Sequence, residues 1–173
     1  MPCPTRLPQT APEFHYPMPF DSPSTTEKNG TPRVTQFSVF LANKVGALLE
    51  IVRLLNNHNV HVVAISVQDS ADTAIVRIVV SDPESVQDIF AEHEIPHAVC
   101  ELLVVELAEG PTELGKLLAA LLAADVNIFG SYALLTRPRG RTALALHVED
   151  NDCAIAVLNQ HGFPILGQSD ISR

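Results

Sequence analysis

The sequence predicts an α+β protein built from two consecutive β-α-β-β-α-β units, joined edge to edge into one continuous antiparallel sheet with the helices on one face. Three observations carry this expectation. A strand, a polar loop that breaks into a helix, and a second strand opening Val-x-Val or Val-x-Ile occur twice. The first copy is Phe37 to Leu41, Asn43 to Leu48 and Val60-His61-Val62; the second is Leu102 to Leu107, Glu109 to Leu114 and Val126-Asn127-Ile128. Aligning Leu48 with Leu114 also aligns Val60 with Val126 without a gap, so loop, helix and following strand are duplicated as one unit. The β-rich run from Ala98 to Leu107 is long enough to close one unit and open the next. Duplication of this kind builds two like domains with a pseudo-twofold interface between them.

Residues 1–33 hold Pro2, Pro4, Pro8, Pro12, Pro17, Pro19, Pro23 and Pro32, which fix φ and remove backbone donors, so a disordered tail is expected there. The tail lacks the charged start and apolar stretch of a secretory signal, and Met18 offers an alternative start. Val34, Phe37, Val39, Phe40 and Leu41 are strand formers running into a polar turn. Leu48, Leu49, Ile51, Val52, Leu54 and Leu55 follow the spacing of an amphipathic helix, closed by Asn56 to Asn59. Val60 to Val67 and Thr73 to Val80 read as a hairpin turning at Asp69 to Asp72. Asp82 can cap a helix with Pro83 at its first position, presenting Val86, Ile89 and Phe90 to one side.

In the second unit Leu114, Leu117, Leu118, Leu121 and Leu122 line a helix, followed by strands over Val126 to Leu135 and Thr142 to Val148 with a loop at Arg137 to Gly140. Asp150 or Asn151 can cap the last helix, Gly162 ends it, and a short strand follows near Pro164 to Leu166. Each unit has the order of the ferredoxin-like split motif, giving domains 34–100 and 101–173.

Charge and cysteine usage exclude several classes of function. Eleven basic against twenty acidic residues give a formal charge of −9 over 173 residues, which opposes nucleic acid as the main partner. No apolar run approaches the roughly 20 residues that span a bilayer, so no membrane partner is expected. Cys3, Cys100 and Cys153 form no Cys-x-x-Cys pair, which argues against a disulfide framework or zinc knuckle and favours a reducing cytoplasm.

A ferredoxin-like repeat of this size, with Asn43-x-x-Gly46-x-Leu48 between its first strand and helix and Val-Asn-Ile-like residues opening its second strand, resembles the ACT domain, a regulatory module that binds amino acids. The likeness covers nearly all of Val34 to Arg173 as two tandem ACT domains, and the first repeat is similar to the small regulatory subunit of acetolactate synthase. Val45 stands where the family usually has Pro; Glu109-Gly110-Pro111-Thr112-x-Leu114 keeps the Pro but puts Thr112 at the glycine position. The resemblance implies a non-catalytic regulator, with homodimers and a biosynthetic enzyme as possible partners and no cofactor.

A glycine at a helix start lets a ligand approach the backbone, where free N–H groups and the dipole attract a carboxylate. Gly46 fits that role and fits equally a simple tight turn. In the family, the loop of one domain meets the start of the second strand of its neighbour, with amide side chains at both places. Here Asn43 lies in the first loop with His61 on the following strand, whereas Asn127 lies on the second unit's strand with Glu109 and Thr112 in its loop. The resemblance therefore implies one intact site, Asn43, Lys44, Val45, Gly46, Ala47 and Leu48 facing Val126, Asn127 and Ile128. It also implies one altered site, Glu109, Gly110 and Thr112 facing His61. Asn127 is equally readable as a surface turn residue beside Asp125. Val45, Val62 and Ile128 would suit a branched-chain amino acid and are equally readable as core.

Other motifs carry little chemistry. His58-x-x-His61, His93 and His97 have no carboxylate or Cys at ligand spacing, so surface and packing roles are expected rather than metal. No Gly-x-Ser-x-Gly, phosphate-binding loop or paired nucleophile and base is visible, so no catalytic residue is assigned. Arg137, Arg139 and Arg141 form the only basic cluster, either solvated or touching a partner's carboxylate. The expected function is amino-acid sensing at the interface between the two domains; the alternative is a regulatory subunit of a biosynthetic enzyme such as acetolactate synthase, acting through protein contact.

Overall fold

The computed structural model describes residues 32–70 and 73–172. The expected tail lies outside these residues except for Pro32 and Arg33, as do Ala71 and Asp72 of the expected turn. The first repeat runs β1 (Val34–Ala42), α1 (Ala47–Asn57), β2 (Val62–Ser70), β3 (Thr73–Val80), α2 (Pro83–Glu92) and β4 (His97–Leu107). The second continues from β4 through a 3₁₀ turn (Gly110–Glu113), α3 (Leu114–Ala123), β5 (Ile128–Ala133), a 3₁₀ turn (Pro138–Gly140), β6 (Thr142–Val148), α4 (Asn151–Gln160) and β7 (Ile165–Leu166), ending in α5 (Gln168–Ile171).

Local chemistry accounts for the ends of these elements. Asp82 accepts a hydrogen bond from the Ser85 amide at 3.2 Å and Asp150 from the Cys153 amide at 2.9 Å, so α2 and α4 carry equivalent N-caps. Strands β2 and β5 each begin two residues later than the sequence pattern suggests. Asn59 and Asp125 take left-handed φ values of 57° and 56°. The Val60 and Val126 amides then donate back to Leu55 O and Leu121 O at 3.0 Å, terminating α1 and α3 instead of joining the ladder.

The sheet order is β2-β3-β1-β4-β6-β5, antiparallel throughout. Val104 and Val105 of β4 pair with both β6 and β7, so β7 lies on the opposite edge of β4 from β6, end to end with β1. Strand β4 thus serves as the last strand of the first unit and the first strand of the second.

Alternation along the strands makes three cores. Phe37, Val39, Val76 and Ile78 face α1 and α2; Leu103, Val105, Leu146 and Val148 face α3 and α4. The other face carries Val34, Val63, Ala64, Val79, Leu102, Val104, Ala143 and Ala145, buried together. A sheet face can bury itself only by curling, and the three alanines leave room for that. The two ends of the sheet meet at an isolated bridge, Ala64 with Leu134, where the Leu135 amide donates to Val63 O at 2.8 Å. Among the described residues the two strands form no longer ladder.

Polar groups tie the repeats together inside the curl. Tyr132 Oη donates to Gln36 Oε1 at 2.7 Å, and Gln36 Nε2 reaches Cys100 Sγ at 3.0 Å. Helix α5, which the sequence pattern does not announce, buries Ile171 in the inner core, and Gln168 Nε2 donates to Val80 O at 2.8 Å. Two of the three clustered arginines pair within the chain, Arg139 with Asp170 and Arg141 with the buried Glu106, each at 2.7 Å.

Candidate functional site

The two loops that the repeat places in equivalent positions have different chemistry. In the first, Gly46 is the N-cap of α1 at φ 91°, a left-handed conformation that glycine adopts without strain, and it has no side chain with which to cap the helix. The Ala47 amide donates to Lys44 O at 3.3 Å, and the helix end carries partial positive charge. Ala47 is buried and Leu48 packs against the first core, which fixes the loop to the sheet. Asn43, Lys44 and Val45 face solvent, Val45 completely so at 105% relative exposure.

In the second loop a carboxylate is bonded into the loop itself, while the start of α3 likewise has no side-chain cap from its N-cap residue. Glu113 Oε2 accepts from the Glu109 amide at 2.9 Å, and Thr112 Oγ1 donates to Glu109 O at 3.0 Å. Gly110 takes φ 69°, supplying the turn that Gly46 supplies in the first loop. A carboxylate bonded into the loop repels a second one. Glu113 was not among the expected site residues, although an acid four positions after Glu109 at the opening of a helix is a readable capping signal.

Asn127 is exposed at the entry to β5, while Val126 and Ile128 pack on the second core. The Asn127 carbonyl accepts from the Glu149 amide at 3.0 Å. A cleft of about 300 Å³ is lined by Leu122, Asp125, Val126, Asn127 and Glu149. It shares Asp125, Val126 and Glu149 with a larger cleft of about 600 Å³ that adds Arg33, Asp150, Asn151 and Asp152. Arg33 pairs with both Glu101 and Asp152, and these hydrogen bonds, led by Asp152, raise its affinity for its proton. Carboxylates dominate this region.

Residues Asn43 to Leu48 line neither cleft. The two halves of the expected site share neither cleft, and β1 and β5 are two strands apart in either direction, by β4 and β6 on one side and by β3 and β2 across the curl. Across the curl, however, they lie toward the same end of the strands. The Ala64–Leu134 bridge pairs the strands antiparallel, so Ile128 and Ser70, each six positions from it, lie to the same side of it. Ser70 is level with Thr73, and Thr73 with Ala42, which leads into the Asn43 loop. His61 lies beyond the opposite end of β2, with its amide bonded to Ser81 Oγ at 3.0 Å.

The remaining reactive groups are engaged in packing. His97 stacks on Phe37 and Phe90 at centroid distances of 5.8 and 5.2 Å, and His58 meets His93 edge-on at 6.5 Å. Among the described residues no cluster of three or more His, Cys, Asp or Glu is placed to hold a metal ion. Burial pushes the Cys100 thiol above its ordinary pKa, the opposite of an activated nucleophile. Among the described residues no helix is long and apolar enough to cross a membrane.

Two ferredoxin-like units on one sheet, with a glycine-opened helix start at the first, define a paired regulatory fold. The family model "ACT domain pair" matches residues 32–170, and the chain belongs to that family of regulatory domains. It is similar to protein BT0572 from Bacteroides thetaiotaomicron, with 26% identity and a TM-score of 0.74 over 82% of this chain and 96% of that one. The regulatory subunit of aspartate kinase from Thermus thermophilus shares the fold, with 11% identity and a TM-score of 0.54 over 75% of this chain and 91% of that one. No protein of curated function matches significantly.

Proposed function

We propose that the chain is a non-catalytic regulator that binds one small amino acid per chain between the Asn43–Leu48 loop and the Val126–Ile128 strand entry, and that it works as a homodimer. The observation that carries this reading is the glycine-opened start of α1, at the same end of the strands, across the Ala64–Leu134 bridge, as Asn127. An α-amino acid presents one anionic and one cationic group. The helix start and Lys44 suit the carboxylate, and the Asn127 amide with Asp125 and Glu149 suits the ammonium. Val45, fully exposed, is free to cover an aliphatic side chain, in keeping with a branched-chain ligand.

Regulation requires two states that the ligand distinguishes, because equal affinity for both shifts nothing. The seam between β2 and β5 is the element suited to this. Its two strands share an isolated bridge and no longer ladder among the described residues, and a ligand touching both sides would favour a closed seam over an open one.

A thermal-shift screen of the full chain against the amino acids tests the reading. A ligand at a hundredfold excess over its Kd adds about 2.7 kcal/mol to apparent stability. One clear hit, lost in both Asn43→Ala and Asn127→Ala, is the expected outcome. No hit sinks the sensor reading and leaves a regulatory subunit, acting through contact with a biosynthetic enzyme such as acetolactate synthase.

A further inference from the structure

Helix α3 contains ten residues, LGKLLAALLA, of which only Lys116 is polar. Its sheet-facing side buries Leu117, Ala120 and Leu121. The rest is equally apolar but uncovered: Leu114, Leu118 and Leu122 have relative exposures of 38%, 43% and 80%. A helix that is hydrophobic on every side belongs in an interior. The repeat supplies an internal control, because α1 occupies the equivalent place in the first unit and, beside Leu49 at 50% exposure, turns Glu50, Arg53, Asn56 and Asn57 to solvent. The fold therefore does not demand an outer face without charge at this position; of the two, only that of α3 is apolar along its whole length apart from Lys116.

From this difference we infer that the outer face of α3 is the surface on which a second copy of this chain docks, α3 against α3 about a twofold axis. This deepens the homodimer part of the proposed function and rests on it. Three features select a second copy. Leu114, Leu118 and Leu122 form a ridge at four-residue spacing, and Gly115, Ala119 and Ala123, also exposed, form a furrow beside it at the same spacing. Ridges and furrows of this type interlock when two helices cross at about −50°. Ridge and furrow on one helix complement each other under twofold symmetry, as an isologous interface requires.

The second feature is charge. Each chain carries −9, yet no acidic residue occurs between Glu113 and Asp125, so two copies can meet here without burying carboxylates. The third is size. The three leucines offer on the order of 300 Å² of apolar surface, over a third of the roughly 800 Å² each partner gives a standard interface. That is the share its apolar core supplies, with the surrounding polar residues as rim.

Sedimentation equilibrium of the full chain from micromolar to hundred-micromolar concentration tests this, with Leu118→Glu and, independently, Ala119→Lys. Both positions are exposed, and circular dichroism checks that each variant keeps the native fold. The expected result is a wild-type dimer and at least a hundredfold weaker association in both variants. A monomeric wild type overturns the homodimer reading and this surface with it. A wild-type dimer that both folded variants leave intact overturns this surface alone and leaves the dimer reading standing.

Discussion

Gly46 sits at φ +91°, and a Cβ added there would meet nothing within 4 Å, so its need for glycine is conformational and not steric. Gly46→Ala is expected to cost about 1 kcal/mol of stability, read from the urea midpoint at unchanged slope, because a side chain in the left-handed region is strained by about that much. The backbone requirement was legible from the position of Gly46 between a strand end and an amphipathic helix. The closure of the second loop was less so, because it depends on Glu113 folding back four residues onto the Glu109 amide.

Tyr132 illustrates what sequence alone leaves hidden. Its hydroxyl bonds Gln36, 96 positions away and 1% exposed, and no local pattern joins a strand of one repeat to a strand of the other. Tyr132→Phe leaves the Gln36 carbonyl without that donor and is expected to cost about 1–3 kcal/mol. Desolvation, assisted by the Cys100 charge, raises the Tyr132 pKa well above the ordinary phenol value. A raised pKa means the folded state holds the proton more tightly. The stabilisation is complete below the unfolded pKa near ~10 and is lost as pH rises from there toward the folded value. In a Tyr16→Phe background, absorbance near the phenolate band should stay flat past pH 10 until the protein unfolds; titration of Tyr132 near pH 10 in the folded state would contradict its burial.

Among the elements, the helix starts were the most legible, because the cap is a local event. Asp82 before Pro83, and Asp150 or Asn151, were the candidate caps, and the structure realises Asp82 and Asp150 through the Ser85 and Cys153 amides. Asp82→Ala and Asp150→Ala are each expected to cost about 1 kcal/mol in chemical denaturation. Hydrogen bonds from the Ser85 hydroxyl and amide hold the Asp82 carboxyl below its ordinary pKa. Its contribution is thus present above the unfolded pKa near ~3.9 and fades as pH falls through the lower folded value, so the Asp82→Ala cost should shrink toward pH 2. Strand starts were read two residues early because valine favours strands wherever it stands, while the amides of Val60 and Val126 are claimed by the helices before them. Helix α5 escaped notice because four residues are too few for periodicity to register.

The repeat made one continuous antiparallel sheet of two joined ferredoxin-like units legible, with the run from Ala98 to Leu107 as the bridge that the structure realises in β4. The curl was not, because it arises from twist accumulated over six strands; its trace in the sequence is the run of small inward residues Ala64, Ala143 and Ala145. A shared strand and a shared inner core should make both repeats unfold together. Calorimetry is expected to show one transition with equal calorimetric and van't Hoff enthalpies, and two resolved transitions would mean that β4 does not couple the repeats.

The site drew on both scales. Asn43, Gly46 and Asn127 were nameable from the resemblance laid onto the duplication, whereas the proposed site between them would depend on the seam that the curl creates. Titration calorimetry of the amino acid that stabilises the chain, with Asn43→Ala, Asn127→Ala and the double variant, tests most directly whether one site spans that seam. The account predicts one ligand per chain and a double variant scarcely worse than either single one, because both side chains serve the same bound molecule across the same closure. Two ligands per chain, or unchanged affinity in both single variants, would contradict it.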